Sequence, residues 1–413
     1  MTNNAGTRPD QALTADDEIG RLVRGSRRVV GCLAPDVEPG VDVASWINVS
    51  RFVEATGDEN PLYTDVQYGA GSLHHTMLAP PTFVLAVRMP DSVGGLDLTR
   101  YQLVDAVKSL RFSWDDTIRL ADTLGGRVHV ADISQRFDEH GRRRGYVSST
   151  ADYERNGVAF ARGACDVEFA PRAGDGSAFP ARPIYRYGPA EVEKMVQELE
   201  SEQPPRGAIP RFWSDTSLGE TPPTVLKGPL TLADLMVWTF AQGRPVRAGN
   251  LHHTRLAGLT GRQVTNPVTA WPSWDRTEAW LDSAAAHTGG LSAPAAPGGL
   301  LCSLAGQYVT HWMGDDGFLR QLSVDIVEPL FYGDALRLTG TVVDRFVVTD
   351  DVSHRYYAVT IRLTGNNQLD EVVVAGEAVV FLPDRGKPAA LPVVGGLTCE
   401  LPGEDRCRHS TTH

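Results

Sequence analysis

The chain has 413 residues, of which 42% are hydrophobic and 22% charged. That is ordinary globular composition, but too long for one ordinary core, so two domains of roughly 150 residues each are expected. Its 39 basic and 51 acidic side chains leave a formal charge of −12, which argues against a nucleic-acid surface.

The opening eighteen residues, "MTNNAGTRPDQALTADDE", are polar and acidic, the reverse of a secretory signal. The first strong helical pattern is "VSRFVEATG", where Val49, Phe52, Val53 and Thr56 share a face and Gly57 supplies a C-terminal stop. A turn crowded with polar groups follows: Asp58, Asn60 and Tyr63 around Pro61. Asp, Asn, Gly and Pro all favour such places for conformational reasons alone, so the turn reads either as a cap or as a site. Next, "APPTFVLAVRM" reads as a second, more apolar helix with Pro81 near its first position. Two alternating runs then flank Asn156-Gly157, a hairpin signal.

Residues 173–226 form a Pro/Gly-rich linker interrupted by one acidic helix, "GPAEVEKMVQELESE". Beyond it the plan repeats. "TLADLMVWTFAQG" opens with Thr231 and Asp234 in capping-box spacing and ends at Gly243. "LLCSLAGQYVTHWMGDD" carries Leu301, Leu304, Ala305, Tyr308, Val309 and Trp312 as a buried stripe. "ARGACDVEFAP" at 161–171 is echoed by "VAGEAVVFLP" at 374–383, and "RLADTLGGRV" by "FYGDALRLTGTV". Two similar halves, each with helices before antiparallel strands, are therefore expected. The tail from Gly386 reads as poorly ordered.

Five scattered cysteines without a CxxC pair point to a reducing, cytoplasmic setting and give no zinc motif. The doublets His74-His75 and His252-His253 are adjacent residues that point different ways, so no metal site is assigned. Apolar runs nowhere reach about 18 residues, so no membrane span is expected.

The order of elements, the duplication and the segment "FVEATGDENPLYTD", Phe52 to Asp65, followed by "APPTF", resemble the MaoC-like hot-dog family. That family contains (R)-specific enoyl-thioester hydratases and dehydratases. The second half, with "KGPLTLADLMVW" and "HWMGDDGFLRQL", is similar to the C-terminal domain of double-hot-dog acyl dehydratase homologues. The resemblance spans about residues 40–385. It implies an α+β double hot dog with two antiparallel sheets, each wrapped around a central helix. The domains would be 40–172 and 227–385, with the linker between them and a tail at 386–413.

It also implies an acyl thioester on coenzyme A or an acyl carrier protein, and no cofactor. A homodimer is left open. In the family an Asp and a His act together on water at the β-carbon, and N–H groups at the central helix start polarise the carbonyl. Asp58 and Asn60 match family positions, and Thr82 and Phe83 fall near the helix start. The family His falls on Tyr63, and a phenol is a poor base near neutral pH.

Asp58 and Tyr63 are thus the candidate catalytic residues, with Asn60, His75, Thr82 and Phe83 as substrate-binding candidates. His311 and Trp312 read as core, and Asp315-Asp316 as a helix-end cap. Where the first half has Gly57-Asp58 the second has Gly243-Arg244, so reacting groups are expected from the first half alone. Three functions fit: a hydratase or dehydratase, a repurposed isomerase, cyclase or lyase on a polyketide-like substrate, and a non-catalytic acyl-binding subunit.

Overall fold

A computed structural model of the chain describes residues 15–34, 40–91, 96, 101, 103–138, 140–171, 182–242, 264–265, 270, 272–273, 282–288, 291–385 and 387–399. In the first half, α1 (Ala15–Ser26) precedes α2 (Trp46–Thr56), and two short helices follow, α3 (Pro61–Thr64) and α4 (Val66–Gly71). A single 3-10 turn, Pro81–Phe83, leads into α5 (Val84–Val87). Four long strands close the half: β1 (Leu103–Trp114), β2 (Leu124–Phe137), β3 (Arg143–Arg155) and β4 (Val158–Pro171). The chain then crosses through α6 (Pro189–Glu200) and β5 (Val225–Lys227).

The second half repeats the scheme with α7 (Leu232–Ala241), α8 (Gly298–Met313), β6 (Phe318–Ile326), β7 (Leu336–Thr349), β8 (Arg355–Asn366) and β9 (Val372–Leu382). A two-residue strand, β10 (Thr398–Cys399), adds to β7.

Strand order is β1-β4-β3-β2 in the first half and β6-β9-β8-β7 in the second, the same permutation twice. This is the double hot dog that the repeated sequence implies. The two sheets are not separate. β1 and β6 pair antiparallel with Phe112 opposite Leu322 and Leu110 opposite Val324, giving one ten-stranded sheet. Joining them there removes two exposed strand edges.

Local signals behave as their chemistry requires. Val49, Phe52, Val53 and Thr56 are the buried face of α2, and Gly57 ends it at φ 59°, a left-handed conformation that Gly adopts without steric cost. Thr231 and Asp234 form the reciprocal cap of α7, with Asp234 N–H donating to Thr231 Oγ1 at 3.2 Å and Thr231 N–H to Asp234 Oδ2 at 2.7 Å. The two front helices pack together, Phe52 lying 5.7 Å from Trp238 between ring centroids.

The central helices differ sharply. α8 has 16 residues, nearly all buried, as expected of a helix surrounded by protein. Its counterpart is only the turn at Pro81–Phe83 plus α5, shorter than the pattern "APPTFVLAVRM" suggests. Pro90 accounts for the stop: its ring clashes with a helical preceding residue, and it lacks the N–H a helix would use. Arg88 is already extended at φ −159°. The Ala86 carbonyl is instead taken by Val41 N–H at 2.9 Å.

The linker and the tail do structural work that composition hides. Arg206 N–H donates to His311 O at 3.1 Å and Arg211 Nε to Trp312 O at 2.9 Å. Residues of the linker thus satisfy carbonyls that the end of α8 leaves open. The tail expected to be poorly ordered from Gly386 is tied down over 387–399: Val393 N–H reaches Asp115 O at 2.7 Å, and Asp351 N–H reaches Val394 O at 3.2 Å. Among the described residues, no helix is long and apolar enough to cross a membrane.

Candidate active site

The turn after α2 is set by backbone chemistry before any function is considered. Asp58 N–H returns to Val53 O at 2.9 Å, and Asp58 Oδ1 accepts from Asn60 N–H at 3.0 Å. Asn60 then caps α3, its Oδ1 accepting from Leu62 N–H at 3.0 Å. Each polar side chain therefore has a conformational job. Yet Asp58 is only 6% exposed, and a buried carboxylate needs more than one backbone donor to offset its desolvation.

The second partner comes from the other half. His311 Nε2 lies 2.8 Å from Asp58 Oδ1. One helical turn earlier, Gln307 Nε2 donates to Gly57 O at 2.9 Å. Residues four apart share a helix face, so α8 grips the 57–58 turn with both side chains. An ionised carboxylate only accepts, so Nε2 is the donor of this pair, and in a neutral histidine so placed the other ring nitrogen holds a lone pair. The close approach also needs Gly306, where a Cβ would come within 2.7 Å of Thr82 Cγ2.

Tyr63, at 3% exposure, sits beside this pair. Burial first, then the charges of Asp58 and Asp315, push its phenol well above its ordinary value of 10, while the Thr310 hydroxyl works the other way. It stays protonated and can donate, but it cannot serve as a base. Tyr63 also lines a small cleft that is partly open to solvent. Leu62, Leu78, Ile118, Met313, Phe318 and Leu319 give the cleft apolar walls, and His74, Trp114, Asp116 and Asp315 add polar groups. Tyr68 Oη donates to Asp315 Oδ2 at 2.6 Å, and burial and that hydrogen bond raise the Tyr68 phenol to about 12.

The geometry brings Asp58, Asn60 and Tyr63 together; the other candidates have different surroundings. His75 is exposed in a turn at φ 56°, whereas its neighbour His74 lines the cleft and donates from Nε2 to Asp315 O at 3.1 Å. Thr82 is packed against Gly306. Phe83 is core, edge-on to Phe52 at 5.4 Å, and its N–H is used within its own turn by Pro80 O at 2.9 Å.

Two sequence expectations gain detail. His311 is not simply core, because its Nε2 meets the Asp58 carboxylate across the two halves. Asp315 does more than cap a helix end, being a buried wall of the cleft. Gly243, Arg244, His252 and His253 lie outside the described residues. The signal for the missed residues is the face of α8 opposite its apolar stripe, where Gln307, Thr310 and His311 fall at i, i+3 and i+4.

Residues 41–158 match the family model described as FAS1-like, dehydratase domain region. A UPF0336 protein of Streptomyces coelicolor is 34% identical over 83 residues, 18% of this chain and 53% of that protein. The chain thus spans about half the length of the curated relatives it matches. A solved MaoC-like dehydratase superposes with TM-score 0.55 at 17% identity, covering 86% of this chain and 98% of its own. A structure described as a MaoC domain dehydratase from Chloroflexus aurantiacus gives 0.51 at 14%, covering 86% and 96%. The chain has the MaoC-like double-hot-dog fold, with a dehydratase-type region in its first half.

Proposed function

We propose that the protein is a hydro-lyase acting on an enoyl thioester, in which Asp58 and His311 form a dyad shared between the two halves. The observation that supports it most is the 2.8 Å contact between a buried carboxylate and an imidazole, beside the protonated phenol of Tyr63, which also lines an apolar cleft. Asp58 holds Nε2–H and so orients the ring and stabilises the imidazolium once formed, the logic by which a carboxylate supports a histidine base. His311 takes a proton from water through its other nitrogen as the water oxygen bonds to the β-carbon. The electron pair moves to the thioester oxygen, where Tyr63 donates a hydrogen bond. Returning the proton to the α-carbon completes a 3-hydroxyacyl thioester, and dehydration is the reverse.

The test is hydration of a simple trans-2-enoyl thioester, followed by loss of the conjugated absorbance. Turnover by the wild-type chain, reduced at least about a hundredfold in both Asp58→Asn and His311→Gln, supports the reading. Wild-type rates in both variants, or no hydration by the wild type, would sink it. A second reading, different chemistry on a specialised acyl substrate, is favoured by the phenol of Tyr63 standing where the motif ordinarily has an imidazole.

A further inference from the structure

His311 stands in the last turn of α8, and that turn is held by residues belonging to neither half. A helix ordinarily leaves its final carbonyls to water or to a cap. Here the carbonyl of His311 itself accepts from Arg206 N–H at 3.1 Å, and that of Trp312 accepts from Arg211 Nε at 2.9 Å. Just past the helix, Asp315 N–H donates to Gly207 O at 3.0 Å. A Cβ at Gly314 would come within 3.2 Å of the carbonyl oxygens of Gly207 and Ile209. Residues 206–211 of the linker therefore lie across the end of α8 as a strap.

Two arginines stiffen it. Arg206 folds back on its own turn, donating to Ile209 O at 2.9 Å and to Pro210 O at 3.1 Å. Arg211 reaches α8 instead. Besides bonding the Trp312 carbonyl, its guanidinium lies 4.3 Å from the centre of the Trp312 ring. It also donates to Glu220 Oε1, the same atom that accepts from Trp312 Nε1 at 3.3 Å. Glu220 is anchored in turn, its carbonyl accepting from Val342 N–H of β7 at 2.8 Å. Arg211, Glu220 and Trp312 thus close a triangle between the second sheet and the end of α8.

The side chains of Arg211 and Glu220 are only 17% and 26% exposed. An ion pair so desolvated contributes little net stability, because the cost of leaving water offsets the attraction. What an arginine does supply is fixed geometry, since its planar donors leave few ways to satisfy two acceptors at once. The geometry fixed here is that of the residue next to His311.

We propose that Arg211 is a positioning residue for the reaction: through Trp312 it sets the last turn of α8, and with it the placing of the His311 imidazole against Asp58. Its effect on turnover rests on the hydro-lyase reading above; its effect on the imidazole does not. A misplacement of about 1 Å can cost on the order of a hundredfold in rate.

The test compares the full-length wild type with Arg211→Met, which keeps an apolar stem against Trp312 and removes the donors. The first readout is NMR of protein carrying isotope-labelled histidine, following the Nε2 proton identified by its absence in His311→Gln. In Arg211→Met that proton is expected to change its resonance and to exchange with water several-fold faster. The second readout is turnover of a trans-2-enoyl thioester, where kcat should fall at least about tenfold with KM within about twofold. Arg211→Lys should recover little, because an ammonium cannot reproduce the planar fork. Glu220→Gln keeps an acceptor and removes the charge, so it should show the same changes at smaller size, and it decides the case if Arg211→Met does not fold.

An unchanged His311 resonance in the folded variants, even with a lowered melting temperature, overturns the proposal. So does a loss confined to KM, or full recovery in Arg211→Lys. Without turnover in the wild type the hydro-lyase reading fails, and the resonance still decides the role of Arg211. Turnover with an unchanged resonance keeps the reaction and removes Arg211 from it.

Discussion

The first half holds a carboxylate in a tight turn and has almost no central helix; the second holds a 16-residue central helix that carries an imidazole. In the first half the sheet closes over a stub that ends at Val87. In the second it closes over α8, whose stripe of Leu301, Leu304, Ala305, Tyr308 and Val309 fills the core. The inequality lets a side chain of one half enter the other. α8 reaches the 57–58 turn with Gln307 and His311, and meets Thr82 at Gly306. Duplicated halves need not duplicate a site.

The sharpest way to break this comparison is to disable each half in turn. Asp58→Asn and His311→Gln should each lower kcat by about 10²–10⁴-fold, and the double variant should be little worse than either, because the two groups act as a unit. Steady-state rates for the four proteins decide it. Losses that multiply would show two independent sites. A ten-thousandfold loss at Asp58 with none at His311 would return the chemistry to the first half alone.

The seam between the halves comes next in size. Gly306→Val places a branched side chain where even a Cβ meets Thr82 Cγ2 at 2.7 Å. It should cost about 1–3 kcal/mol by overpacking, or more, read from denaturant unfolding, and should weaken activity through displaced α8. An unchanged midpoint would mean that the contact yields freely.

A smaller effect is expected where α8 grips the turn. Gln307→Leu leaves the Gly57 carbonyl without its donor and should destabilise by about 1–3 kcal/mol. kcat should fall more than the affinity for substrate, since the turn that loosens is the one holding Asp58. If only KM moved, Gln307 would instead be contacting substrate.

The mildest test concerns the buried phenol. The Tyr63 pKa is raised by burial and by Asp58 and Asp315. Its contribution to stability is therefore complete below the unfolded value of about 10 and is lost as pH rises beyond it. Relative to Tyr63→Phe, the wild type should lose stability more steeply above about pH 10, with parallel curves at neutral pH. The difference between two thermal-melt series across that range isolates Tyr63 from the other buried tyrosines. Curves that stay parallel at high pH would show that Tyr63 ionises as readily folded as unfolded.

Much of the fold is legible in the sequence because local rules and tertiary demands agree. Val49, Phe52, Val53 and Thr56 sit at helical spacing and are the buried face, Gly57 ends that helix, and Thr231 with Asp234 starts its counterpart. Agreement at several levels is what specifies a structure. The stub at Pro81–Val87 was less visible, although Pro90 carried the information, because apolar residues continue past the point where helix geometry fails.

The site divides the same way. Asp58, Asn60 and Tyr63 announce themselves by crowding into one turn. His311 does not, because a histidine within an apolar helix is more often a satisfied core residue. What identifies it is a carboxylate 253 positions away in the chain. A contact that distant is set by how β1 meets β6 and how α8 lies against α2, and no local pattern encodes it.

The pairing of β1 with β6 also bears on stoichiometry. If the halves were separate polypeptides, first halves could pair with one another and bring together two copies of Asp58 without His311. Second halves could assemble with imidazoles and no carboxylate turn. Covalent connection through residues 172–224 gives every Asp58 one His311 at an effective concentration on the order of millimolar or above, independent of how much protein is present. Under such a tether, each half can shed the group its neighbour supplies, and dilution cannot take the dyad apart.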